Sequence, residues 1–281
     1  MDRNAICLLL LAGIIALGCI AAGCTGTEGT APVNSTHPVG QVTASPEVVA
    51  ESVANVTDGN NRFALDLYRQ ISSDPAYADR NIFFSPYSIS SALAITYEGA
   101  RGITADEIRS VLCLPLDDTV RREGFAALNA ALNRGSDNYT LRIANALWAE
   151  ETYPFLPGYI EVAERWYGAN VTNLDFISDP EGSRETINRH VEGETEERIR
   201  DLLPPGSIDS MTRLVITNAI YFKGTWVREF NPDETVEEEF RVSPDRTVSV
   251  PMMRRTDEDA IYPYTETDTL QVLEMPYAHG N

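Results

Sequence analysis

Apolar and polar positions along this chain recur with two periods, and the period changes several times. Phe63, Leu67, Tyr68 and Ile71 fall at helical spacing and predict a helix starting near residue 60, with Asn60 or Asn61 as its cap. NIFFSP at 81–86 predicts a short buried strand running into a helix. Ser85 would cap that helix and Pro86 would take its first position. Ile89, Ala92, Leu93 and Tyr97 then form one apolar stripe, flanked by Ser88, Ser90 and Ser91. Thr104 and Glu107 are spaced as a capping box ahead of Ile108, Val111 and Leu112. Residues 120–132 predict a further helix with Phe125, Leu128 and Leu132 inward. From 140 to 149 the pattern alternates, with Leu141, Ile143 and Leu147 on one face and Ala144, Ala146 and Trp148 on the other, which predicts a strand. A helix at 158–167 and a strand at 169–176 follow. The next helix opens at Asp179-Pro180 and carries Ile187, Val191 and Ile199 on one face.

The most informative run is LVITNAIYF at 214–222. It is almost wholly apolar or β-branched and ends at Lys223-Gly224, so it predicts a strand covered on both faces. Asn218 stands in its middle, and a buried amide requires hydrogen-bond partners, hence a polar cluster nearby. Trp226 follows the strand at once and is placed to plug the end of the sheet. Shorter strands are predicted at 239–242, 247–253, 260–264 and 270–275.

Composition narrows the function. The chain has 281 residues and a net charge of −20, and acidic residues are spread along its length. Such a surface cannot neutralise phosphates, which excludes nucleic acid as a partner. Glu192, Glu194, Glu196 and Glu197 read as the solvated face of a helix rather than a metal or acid–base site, because no histidine is spaced to converge on them. The three histidines, His37, His190 and His279, are far apart, and none of the common hydrolase, zinc-protease or phosphate-loop motifs is present. No metal, cofactor or catalytic turnover is expected. Of the four cysteines, Cys7, Cys19 and Cys24 lie in the N-terminal leader and only Cys113 in the body, so no internal disulfide can form there.

The N-terminus is a leader: a short charged start, then apolar residues 6–22. AAGC at 21–24 has small residues before a cysteine and looks like a lipobox, with Cys24 as the lipidated mature N-terminus; the alternative is an uncleaved signal anchor. We expect residues 1–23 to be leader, 24–58 a flexible tether rich in Thr, Ser, Pro and Gly, and 59–281 the folded domain. The body would then stand outside the cytoplasm, tethered to a membrane or secreted. NST at 34–36 and NVT at 55–57 are glycosylation sequons.

Three stretches carry a family resemblance. NAIYFKGTW at 218–226, followed by FNP at 230–232 and Thr235, and NIFFSPYSISSALAITYEGARGIT at 81–104, resemble the serpins, which inhibit proteases by a conformational trap. RIANALWAEETYPFLPGYIEVAERWYGANVTNLDF is similar to a serpin strand–helix–strand at the edge of the main sheet. The resemblance spans about residues 60–281 and implies an α+β fold, with helices packed around a large main sheet and further smaller sheets. It also implies that Ser85, Ser88 and Asn218 form the polar "shutter" beneath the main sheet and that Trp226 guards the "breach" where a loop first enters it. The partner implied is a serine, or cysteine, protease, bound by suicide-substrate chemistry by a protein that is a monomer when complete.

The family's hinge, reactive loop and C-terminal strands have no counterpart in residues 1–281, so no bait residue can be named. A non-inhibitory binding lipoprotein and an inactive fragment are the alternatives. Without those later strands the edge of the 214–222 strand would be open, and residues 24–281 alone are expected to fold poorly or aggregate.

Overall fold

The computed structural model describes residues 45–77, 80–136, 139–259 and 261–278. Four helices come first: α1 (Pro46–Ser73), α2 (Pro86–Gly99), α3 (Gly102–Val111) and α4 (Asp118–Leu132). Then β1 (Tyr139–Glu150), α5 (Pro157–Tyr167), β2 (Ala169–Leu174), α6 (Pro180–Glu194) and β3 (Leu214–Gly224) alternate. Four shorter strands follow, β4 (Val236–Ser243), β5 (Arg246–Met252), β6 (Tyr264–Glu266) and β7 (Gln271–Leu273). Helices precede and flank a mixed sheet, which makes the fold α+β, as expected.

The principal sheet has the order β2-β1-β3, parallel between β1 and β2 and antiparallel between β1 and β3. Among the described residues, β3 has no neighbour on its outer side. Both faces of β3 are nevertheless covered: Leu214 to Tyr221 are all buried. One face packs against Val56, Phe63, Ile95, Leu112 and Phe125, which belong to α1, α2, the end of α3 and α4. The other packs beneath α6 and the segment after it, through Trp148, Ile187, Leu203, Ile208 and Val215. The remaining strands pair as two hairpins, β4-β5 and β6-β7.

Several expectations change. Helix α1 begins at Pro46, capped by the Ser45 hydroxyl, so residues 46–58 are helix and not tether. The reason is packing: Ser52, Val56 and Gly59 are buried on the same face as Phe63. That face meets α4 at Gly124, where a Cβ would stand 2.6 Å from the Ser52 carbonyl oxygen. Residues 81–85 have no ladder partner among the described residues, and Phe83 is 44% exposed, so no strand forms there. Helix α3 starts at Gly102, whose left-handed φ of 59° lets the chain turn out of α2, and Thr104 therefore lies within the first turn instead of capping it. Val111 is exposed while Leu112 is buried. Helix α6 stops at Glu194, because the Thr195 hydroxyl turns back onto the Val191 carbonyl at 2.7 Å and Glu196 and Glu197 take left-handed conformations. Ile199 reaches the core from the following segment. The strand expected at 260–264 is displaced to Tyr264–Glu266, sharing only residue 264 with it, and that expected at 270–275 is confined to Gln271–Leu273.

Candidate functional site

The polar cluster that Asn218 requires lies where α2 starts beneath the sheet. Ser85 caps α2 by accepting the Ser88 backbone N–H at 3.2 Å. This orients the first turn so that the Ser88 hydroxyl donates to Asn218 Oδ1. Asn218 and Asn145 are directly opposed in the β1–β3 register, and Asn218 Nδ2 donates to Asn145 Oδ1 at 2.5 Å. Asn145 Nδ2 then donates to the Tyr167 carbonyl at 2.8 Å and to Ser91 Oγ at 3.1 Å. Asn129 of α4 shares that carbonyl at 3.1 Å and accepts the Tyr87 hydroxyl at 2.8 Å. One unbroken path thus joins α2, β1, β3, the end of α5 and α4. Its amides and serine hydroxyls are all less than 10% exposed. Burial also pushes the Tyr87 phenol well above its ordinary pKa, so it stays a donor throughout the physiological range.

The Tyr167 side chain continues the path into a buried ion cluster. Its hydroxyl donates to Glu98 Oε1 at 2.8 Å. Arg121 reaches the same oxygen through its NH2 group at 3.0 Å, and Arg122 reaches Glu98 Oε2 through its NH2 group at 2.7 Å. Asp118 takes the remaining reach of the Arg121 NH2 group at 2.7 Å. Burial alone would raise the Glu98 pKa. The Arg122 hydrogen bond and the Arg121 charge, with the Tyr167 hydroxyl, outweigh it and hold the carboxyl below its ordinary value. A cleft of about 490 Å³ opens beside the cluster, between the end of α2 and the starts of α3 and α4. Of its charged side chains, Glu98 and Asp118 pair with Arg121 and Arg122, Asp106 pairs with Arg109, and Arg101 donates to the Glu98 and Ala100 carbonyls.

On the opposite face of the sheet, Trp148 Nε1 donates to Thr217 Oγ1 at 3.0 Å, and the indole meets the His190 ring of α6 edge-on at 5.1 Å. His190 therefore packs a helix onto the sheet. Beyond the end of β3, Trp226 stacks on Tyr277 with centroids 4.1 Å apart and planes 14° apart. Phe222 meets the same tyrosine edge-on. Gly224 allows this closeness, since a Cβ there would stand 2.9 Å from the Tyr277 ring.

The expected residues thus fall in two places. Ser85, Ser88 and Asn218 are brought together in the polar path, Ser85 through its cap. Trp226 belongs to a separate aromatic cluster past the strand end. Cys24, His37 and His279 lie outside the described residues. Among those described, no group of three His, Cys, Asp or Glu side chains could hold a metal ion. Sequence reasoning missed Asn145, Asn129 and the Glu98 cluster. Asn145 carried the same signal as Asn218, an amide within an apolar strand.

Comparison with known proteins agrees with this architecture. The family model described as "Serpin (serine protease inhibitor)" matches residues 58–281, and the chain belongs to that family. An uncharacterized serpin-like protein of Methanosarcina acetivorans is 39% identical over 83% of this chain and 54% of its own length. Human leukocyte elastase inhibitor is 40% identical over 79% of this chain and 58% of its own length. Among solved structures, cleaved kallistatin in complex with heparin matches 82% of this chain at 30% identity with a TM-score of 0.72. Emu ovalbumin matches 80% of it at 29% identity with a TM-score of 0.70. The chain spans less than two thirds of the length of these curated relatives.

Proposed function

We propose that this chain is the strand-accepting body of a serpin-type protease inhibitor. The observation that carries this reading is the pairing of two features on one strand. β3 has an unpartnered edge among the described residues, and its centre is fastened from below by the Ser88–Asn218–Asn145 hydrogen bonds. An extended segment can add to such an edge by main-chain hydrogen bonds. The polar path fastens β3 to α2 and β1 until a strand enters, and any shift of β3 must break the buried Ser88–Asn218–Asn145 hydrogen bonds. Ser85, Ser88 and Asn218 act as the shutter, and Trp226, stacked on Tyr277 at the strand end, guards the entry point.

The partner is a serine, or cysteine, protease, which attacks a bait bond in a reactive loop and is trapped as that loop inserts. The protein works without turnover, cofactor or metal, as a monomer, held outside the cell by a lipid on Cys24. The test is to incubate the complete gene product with serine proteases of differing specificity and run the mixture on a denaturing gel. A band at the combined mass supports the reading, and cleavage without such a band for every protease refutes it. A second reading, a non-inhibitory binding lipoprotein, draws on the match to ovalbumin. It predicts that second gel pattern together with an unchanged fold after cleavage.

A further inference from the structure

The triplet Asn-x-Thr occurs at four places in the chain, beginning at Asn34, Asn55, Asn138 and Asn170. Asn34 and Asn138 lie outside the described residues. The other two differ in geometry. Asn55 is in the middle of α1, where residues two apart do not face each other, and its side-chain amide already donates to the Glu51 carbonyl at 2.9 Å. Asn170 is the second residue of β2, just after the left-handed turn at Gly168. In a strand, residues two apart share a face, so the Asn170 amide and the Thr172 hydroxyl lie on the same side of the chain. Asn170 is exposed, and no side-chain hydrogen bond among the described residues engages its amide. Among the described residues its strand is the outer one of the sheet, paired on one side only, to β1.

We propose that Asn170 is an N-glycosylation site, with Thr172 as the hydroxyl residue of its acceptor triplet. The donor is an oligosaccharide carried on a lipid phosphate. Asn170 Nδ2 forms a bond to the anomeric carbon of the first sugar, the carbon–oxygen bond to the lipid phosphate breaks, and the amide loses one proton as the lipid phosphate departs. A glycan there stands over the open edge of β2 and blocks strand addition at that edge, leaving β3 as the edge that accepts a strand. This inference rests on the extracytoplasmic location proposed above.

The test uses the complete gene product made in an archaeal host that glycosylates exported proteins. Trypsin releases residues 166–184 as one peptide, between Arg165 and Arg184, which contains Asn170 as its one acceptor triplet. Mass spectrometry is expected to find this peptide heavier by whole sugar residues in most copies. N170Q and T172V should each return it to its unmodified mass, while export and melting temperature are retained. An unmodified 166–184 peptide from protein whose leader has been removed overturns this inference alone. An unmodified peptide from protein retained in the cytoplasm with its leader intact overturns the inference and the location together. Sugar retained in N170Q on the same peptide would also overturn it.

Discussion

Asn218 shows how one buried amide can fix the placement of a strand. Its two polar atoms each have a partner, Ser88 on α2 and Asn145 on β1. Asn218→Ala leaves the Asn145 oxygen and the Ser88 hydroxyl buried and unpaired, at about 1–3 kcal/mol each. We expect denaturant unfolding of the complete protein to report a loss of about 3 kcal/mol. Glu98 allows a second test. Its folded pKa lies below its unfolded one, so its contribution is complete above the unfolded value and is lost as pH falls through the folded value. Stability should therefore fall in acid, below about pH 4. Glu98→Gln, which leaves Arg121 paired with Asp118 and takes the carboxylate from Arg122, should cost about 1.5–3 kcal/mol at neutral pH and flatten that acid limb. Asn218 was legible because a lone amide in an apolar run demands partners. The Glu98 cluster was not, because Arg121 and Arg122 resemble any charged pair near a helix start. Only the fold reveals that Arg121 is 1% exposed.

Among the elements, β1, α5 and β3 were legible to within a few residues, and α6 at its start, since their apolar periods are long and unbroken. The errors came where tertiary packing overrode local signals. The first turns of α1 continue a stretch rich in Thr, Ser, Pro and Gly and read as linker, yet Ser52 and Val56 lie against Gly124 of α4. A chain beginning at Gly59 should accordingly be less stable than one beginning at Ser45. Loss of the buried Val56 side chain alone accounts for about 1.5–3 kcal/mol. Equal melting curves for the two would show that residues 46–58 do not belong to the domain. At 81–85 the failure was of the opposite kind. Apolar β-formers are present, but no neighbouring strand is available among the described residues, and an isolated strand has no ladder to join.

For the molecule as a whole, charge is the dominant global property. Lys223 is the single lysine beside 21 arginines, against 42 acidic residues. Self-repulsion of this size destabilises the compact state, and at about 1 M salt the screening length falls to about 3 Å. The melting temperature should therefore rise from low to molar potassium chloride, and a flat response would show that the acidic groups are already neutralised by local pairing. The central claim concerns strand acceptance at β3. It is tested most directly by melting the complete gene product before and after a protease cuts its reactive loop. If the loop enters beside β3, the cleaved form melts well above the intact one, because the inserted segment adds a ladder of main-chain hydrogen bonds to the sheet. A cleaved form that melts at or below the intact temperature would contradict the account and favour a binding protein whose sheet does not open.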